Sequence, residues 1–460
     1  MTATPATTQP AQDTSRRVPP GPPRRATPRL LRDLVGDRLA MMSRAAETYG
    51  DAVRVRIGPK TLYLFNHPDH AKHILADNAG NYRKGIGLVQ AKRALGDGLL
   101  TSEGELWREQ RRTIQPVFQH RRIAARAWII VEEAKALVER LRATAGGPPV
   151  DVMEELTGLT LGVLGRTLLE SDLGEFESIG HSFEAVQDQA MFEMVTMGMV
   201  PQWVPLPAQR RFRHAQQDLQ RVVDILVERR HANLRADGDD VLTRLILSSD
   251  REPDPEVART RLRDELITLL LAGHETTAST LGWSLYLLDR NPEVWQRMHE
   301  EAVTVLGDRD PTDEDLRGLR YTGNVIQEVI RLYPPVWILT REAVEEDVVN
   351  GYVVPAGSDV VVCPYTLHRH PDFWPEPERF DPDRFAPDRA GDRPRYAHIP
   401  FGAGPRFCVG SHLGLMEATF VLALLARELR LHTAPEHKVT PQPMLSLRLG
   451  GGLPMTVATR

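Results

Sequence analysis

The chain has 460 residues, 57 Lys and Arg against 62 Asp and Glu, and a formal net charge of −5. That near-balance offers no global attraction for nucleic acid. The two cysteines, Cys363 and Cys408, exclude a disulfide scaffold and a four-cysteine zinc site, and no apolar run approaches the roughly 18 residues of a membrane span.

Residues 1 to 28 are rich in Thr, Ala, Pro and Arg and read as a disordered or extended arm. They lack the apolar stretch of a secretory signal, and their prolines oppose the amphipathic helix of an organellar presequence. A cytoplasmic location is therefore expected, with residues 29–460 as a single domain. Val53, Val55 and Ile57 alternate with arginines, Gly58-Pro59-Lys60 makes a turn, and Leu62 and Leu64 alternate in return, which predicts a hairpin.

From about 68 to 440 the pattern is mainly helical. Trp107 and Arg111 lie four apart on one helix face, and both are donors suited to a carboxylate. A surface stack of the two is the plainer alternative. Arg108, Arg112, Arg121 and Arg122 form a basic cluster able to attract an acidic protein, or simply a solvated face. The stretch from His181 to Leu206 is dense in Met and aromatic residues, which suit either a mobile apolar cover or a core stripe.

Leu266 to Leu288 predicts a long apolar helix. It contains Ala272-Gly273-His274-Glu275-Thr276-Thr277. A glycine inside a helix costs about 1 kcal/mol relative to alanine, so Gly273 implies close approach of another group, or a simple packing contact. Adjacent Glu275 and Thr276 offer an acid and an alcohol for proton delivery. His274, in the middle of an apolar helix, reads as a packed residue. Glu328 and Arg331, three apart, can pair on one helical face. Asn350-Gly351 joins two short apolar runs and predicts a second hairpin. The segment 364–407 is too rich in proline for regular structure and too aromatic for a plain linker.

Near the C-terminus stands Phe401-Gly402-Ala403-Gly404-Pro405-Arg406-Phe407-Cys408-Val409-Gly410, followed by a helical run. The glycines permit a tight loop with convergent amides. Cys408 would then precede a helix N-terminus, where amides and the dipole favour a thiolate, with Arg406 adding charge. A thiolate so held is a good axial ligand for haem iron. The spacing does not match a dinucleotide loop, because the third glycine would fall on Phe407. Cys363, on an apolar strand-like run, reads as a buried small residue.

The pattern Phe401-x-x-Gly404-x-Arg406-x-Cys408-x-Gly410 resembles the haem-thiolate signature of the cytochrome P-450 monooxygenases, with Gly414 where the family usually has Ala. The Ala272 to Thr276 motif resembles that family's oxygen-activating helix, and the likeness runs from about residue 45 to 455. It implies a mainly α fold, a helical prism with small β-sheets around a buried haem b. It implies Cys408 as the iron ligand, Glu275 and Thr276 as proton-delivering residues, and Ala272 beside the cofactor. Trp107, Arg111, Arg341 and Arg406 would bind the haem propionates. Glu328, Arg331 and a second arginine would form a scaffold network. Of Arg379 and Arg384, the second has the better spacing from Cys408.

The same resemblance places Met191, Met194, Leu269, Val336, Ile338 and Leu445 around an apolar substrate pocket. It implies separate electron donors, a ferredoxin or flavodoxin with its reductase, and a monomer. A terpenoid is the expected substrate class, with fatty acids and macrolides as alternatives. Oxidative coupling or rearrangement, and a non-catalytic haem-binding protein, are the rival functions.

Overall fold

Asp254 opens the longest helix, Pro255–Arg290. Its carboxylate accepts from the amides of Glu256 at 2.9 Å and Val257 at 3.4 Å, and Pro255 sits in the first turn, where its missing N–H costs nothing. The 36 residues span about 54 Å. Most side chains from Leu262 to Leu288 are buried, because helices Val152–Leu168, Val241–Ser249, Arg320–Leu332 and Ser411–Glu428 pack around this central helix. The computed structural model describes residues 17–460, except 58–59, 177–178, 234–237 and 239.

A five-stranded sheet stands beside this helical body. Its strand order is Ala52–Ile57, Lys60–Phe65, Asp359–Val362, Leu339–Ala343 and Tyr82–Lys84. The first two strands are the antiparallel pair expected from the alternating valines; the turn at 58–59 lies outside the described residues. The last two pair so that Lys84 stands opposite Arg341. That register places two cations side by side at a sheet edge. The second hairpin pairs Asp347–Val349 with Tyr352–Val354, and both Asn350 (φ 47°) and Gly351 (φ 82°) take the left-handed conformation that such a turn requires.

Of the arm expected over 1–28, residues 1–16 lie outside the described residues. Arg17 accepts from Val353 and donates to Gly351 through its backbone, Pro20 accepts from the Arg54 amide, and a helix begins at Thr27. The arm's described part is thus fastened to both hairpins. The 364–407 segment consists of short turns and single helical turns, as its proline content requires. Among the described residues no helix is long and apolar enough to cross a membrane.

Candidate functional site

The Phe401–Gly410 loop owes its course to two glycines. Gly402 and Gly404 have φ of 70° and 65°, and a Cβ on Gly404 would lie 1.9 Å from the carbonyl oxygen of Leu75. The loop closes with the Cys408 amide donating to Phe401 O at 3.0 Å, and the helix Ser411–Glu428 follows. Cys408 retains accessible surface although protein crowds it on most sides, so it faces an interior recess. Burial pushes its thiol pKa up; the amides of Gly410 and Ser411 and the Arg111 guanidinium oppose that rise without cancelling it. The loop amides thus favour the thiolate, as expected, and desolvation opposes them. Coordination to a metal would remove the proton. The cation that acts on Cys408 is Arg111, not Arg406.

Arg111 lies on the helix Gly104–Ile114, and its Nη1 donates to Phe407 O at 2.8 Å while Nε donates to Gln115. Trp107, one turn earlier, lies 4.0 Å under the guanidinium of Arg406. Within the protein, Arg111 thus braces the cysteine loop and Trp107 stacks on the arginine that follows Pro405.

The central helix runs past this loop. A Cβ on Gly414, in the first turn after the cysteine loop, would be 3.6 Å from Thr277 Oγ1, so alanine would also fit there. Ala272 is exposed although its neighbours along the helix are largely buried, which marks the stretch of helix open to a recess. Thr276 Oγ1 donates to Ala272 O at 2.7 Å. Gly273 does not face that space. A Cβ there would fall 2.7 Å from Leu164 Cδ1, so its lack of a side chain serves helix packing. His274 is buried, bonds Leu270 O at 2.7 Å and lies against Phe183, as a packed residue would.

Glu275 is firmly held. It forms an ion pair with Arg448 and accepts from Ser446 Oγ at 2.6 Å and from Gln187 Nε2. Successive helical residues point about 100° apart, so this carboxylate and the Thr276 hydroxyl leave the helix in different directions.

Three cations meet near the start of the Gly104–Ile114 helix. Arg406 Nη2 donates to Ser102 O at 3.0 Å and Glu103 Oε2 at 2.5 Å, while its Nη1 is buried with no partner among the described residues. Arg341 is buried, and its side chain donates to Thr340 O. Burial, then repulsion from Arg406, brings its pKa down to about 10. Lys84, its partner across the sheet, is also buried, and burial with the charges of Arg341 and Arg406 drives its pKa well below the usual value. Among the described residues one carboxylate, Glu103, faces these three cations. The uncompensated charge fits a ligand bearing two carboxylates, as the haem implied by the resemblance does. Lys84 and Glu103 carry no motif of their own. Only strand pairing and loop closure bring them to the site.

The scaffold network is complete. Arg331 grips Glu328 through Nε (2.7 Å) and Nη2 (2.8 Å), and both side chains are fully buried. Its remaining donors reach the carbonyls of His368, Pro377 and Arg379. Arg384 stands 3.3 Å from Glu328 Oε1, an ion-pair distance without hydrogen-bond alignment, and donates to Pro375 O and Glu376 O. Arg379 is exposed and pairs with Glu376.

The residues expected around a substrate are dispersed in burial. Met191 and Leu269 are buried, Met194, Ile338 and Leu445 partly so, and Val336 is 36% exposed. Met194 comes from the helix Ile179–Val195 to lie against Gly87, where a Cβ would meet its Cε at 2.8 Å. Beyond that helix Met199 and Trp203 are exposed at 71% and 76%, so the methionine-rich stretch divides into a packed half and an open half.

The family model described as cytochrome P-450 matches residues 19–454. Cyclooctatin synthase of Streptomyces melanosporofaciens is 38% identical over 87% of this chain and 87% of its own length. Cyclooctat-9-en-7-ol 5-monooxygenase of the same organism is 35% identical over 87% and 88%. Pentalenene oxygenase of Streptomyces avermitilis is 32% identical over 89% and 91%.

Proposed function

The chain belongs to the cytochrome P-450 family of haem-thiolate monooxygenases, and on that premise we propose that it oxidises a C–H bond of a small cyclic terpenoid. The family binds haem b through a cysteine thiolate and takes electrons from redox partners. Cys408 would hold the iron, and Lys84, Arg341 and Arg406 would hold the propionates. When bound, haem supplies the centre at which dioxygen is reduced and one of its atoms transferred to carbon.

The protein's own part is positioning and proton control. Arg111 fixes the carbonyl beside Cys408 and so holds the sulfur in place. Thr276 presents a hydroxyl on the helix face next to the exposed Ala272. Glu275, Arg448, Ser446 and Gln187 form a connected polar network from which protons can be drawn toward that hydroxyl. Residues 29–460 act as one domain in the cytoplasm, as a monomer, with a ferredoxin or flavodoxin and its reductase as donor.

The observation that carries the substrate class is the apolar character of Met191, Met194, Leu269, Val336, Ile338 and Leu445, joined to relatives named for cyclooctat-9-en-7-ol and pentalenene. A pocket without a charged anchor selects a hydrocarbon skeleton by shape and burial. The test is a substrate panel of cyclic terpenes, fatty acids and macrolides. Cyclic terpenes should shift the haem spectrum and give singly oxygenated products when ferredoxin, its reductase and NADPH are supplied. Turnover confined to fatty acids or macrolides would overturn this reading.

A further inference from the structure

Four residues past Cys408, on the first turn of the helix Ser411–Glu428, stands His412. Its ring stacks on that of His120, with centroids 4.3 Å apart and planes 28° from parallel. His120 begins the short helix His120–Ala124 and lies 3.8 Å through Nε2 from Asp313 Oδ1. Asp313 begins a separate helical turn, Asp313–Arg317. The three possible ligand atoms all lie within 4.8 Å of one another.

Two of these groups lack the partners that buried polar atoms require. His412 Nε2 and Asp313 Oδ1 are both shielded from solvent, and among the described residues neither has a hydrogen-bond partner. Buried polar atoms are rarely left so, because the lost solvation is not recovered. That the two belong to the same cluster, with His120 beside them, points to a common missing partner. None of the three is among the residues assigned above to the haem site.

We propose that His120, Asp313 and His412 form a binding site for a divalent transition-metal ion of the zinc type. Two imidazoles and one carboxylate are the ligands of that class; calcium and magnesium require oxygen ligands. Three protein ligands leave one position for water. Bonds of about 2.0–2.1 Å in a tetrahedral arrangement bring ligand atoms to about 3.3 Å from one another, so the cluster must contract by up to about 1.5 Å. The His120 side chain, 65% exposed, is free to make that movement.

The site would join three chain segments that are distant in sequence. His412 lies four residues after Cys408, and Phe118, two residues before His120, lies against Gly410, where a Cβ would be 3.7 Å from its Cε1. A bound ion would thus brace the outer side of the loop that carries the haem ligand.

The experiment uses the haem-loaded enzyme, in which Cys408 is occupied, freed of adventitious metal by a chelator and then titrated with zinc. One equivalent should bind at micromolar free zinc. X-ray absorption at the zinc edge should show nitrogen and oxygen neighbours at about 2.0 Å and no sulfur. A hundred-fold excess over the dissociation constant should raise the melting temperature by about 3 °C. His120→Ala and Asp313→Asn should each weaken binding about ten-fold or more and abolish the thermal shift. His432→Ala, at an exposed histidine paired with Asp289 elsewhere, should change neither. His120→Ala removes an exposed side chain, so its loss of zinc would not be explained by unfolding. Failure to bind zinc, a sulfur neighbour, or unchanged binding in His120→Ala and Asp313→Asn would overturn the proposal.

Discussion

Arg111 donates a hydrogen bond of 2.8 Å to the carbonyl of Phe407, the residue that precedes Cys408. The same guanidinium is the one cation among the groups that shift the Cys408 thiol. One side chain thus sets both the position and the charge environment of the sulfur. Removing it should cost about 1.5–3 kcal/mol, the worth of a hydrogen bond to a charged donor. Arg111→Ala should retain less haem, and a larger share of the reduced, carbon monoxide-bound protein should show the spectrum of neutral thiol ligation. Haem content and that spectrum, compared with wild type, provide the measurement. Unchanged values would leave Arg111 without a role at the loop.

Thr276 and Glu275 should separate in their effects. Thr276→Ala removes a hydroxyl whose partner is its own helix, so haem content and stability should stay near wild type. NADPH consumption should be diverted from product toward hydrogen peroxide. Glu275→Gln breaks the ion pair with Arg448, a side chain only 21% exposed, and should lower stability by about 1–3 kcal/mol as well. Peroxide yield and thermal melting, measured together on both variants, distinguish the two.

The glycines of the cysteine region should differ sharply among themselves. Gly404→Ala forces a Cβ to 1.9 Å from the Leu75 carbonyl oxygen at a φ of 65°, and the enzyme should fail to fold around its cofactor. Gly414→Ala meets an ordinary contact of 3.6 Å inside a helix and should be neutral or stabilising by up to about 1 kcal/mol. Melting temperatures and haem incorporation test both.

The meander network provides a control within itself. Replacing Arg331 by Met leaves Glu328 buried without its main partner and should destabilise by about 3–5 kcal/mol. Arg379→Ala removes an exposed pair and should change stability by less than about 0.5 kcal/mol. Denaturant unfolding of the two variants measures the difference. Equal losses would mean that Arg379 has a share in the network.

Acid should destabilise the fold through interior histidines. Burial, then repulsion from His67, lowers the pKa of His70 to about 4, and burial brings that of His398 down to about 3; His368 is shifted the same way. The unfolded chain takes up these protons near the ordinary pKa of about 6.5, whereas the folded protein takes up those of His70 and His398 only near pH 4 and pH 3. Their contribution is therefore present above about pH 6.5 and is lost as the pH falls toward 4, by about 3 kcal/mol for His70 alone. Melting temperature should fall over that interval, and His70→Gln should flatten the fall.

The cysteine loop, the long central helix and the two hairpins were legible from residue types and spacing, and the haem and its expected ligand from the family resemblance that those motifs carry. Cys408 follows two glycines whose backbone angles few other residues accept, and Glu328 with Arg331 needs only helical spacing. Local chemistry suffices for such motifs because every participant lies within a few residues of the others. Side-chain partners across the fold were not legible in that way. Lys84 joins Arg341 through the pairing of two strands more than 250 positions apart, and Glu103 reaches Arg406 across some 300. Gly273 gives room to Leu164 rather than to the recess, and Glu275 is bound by Arg448. Each of these depends on which surfaces the packed core brings into contact. Burial then sets the energetics: it raises the Cys408 thiol against the pull of its own loop, and it leaves three cations with a single carboxylate. Desolvation depends on the surrounding protein, so no motif, however well spaced, carries it.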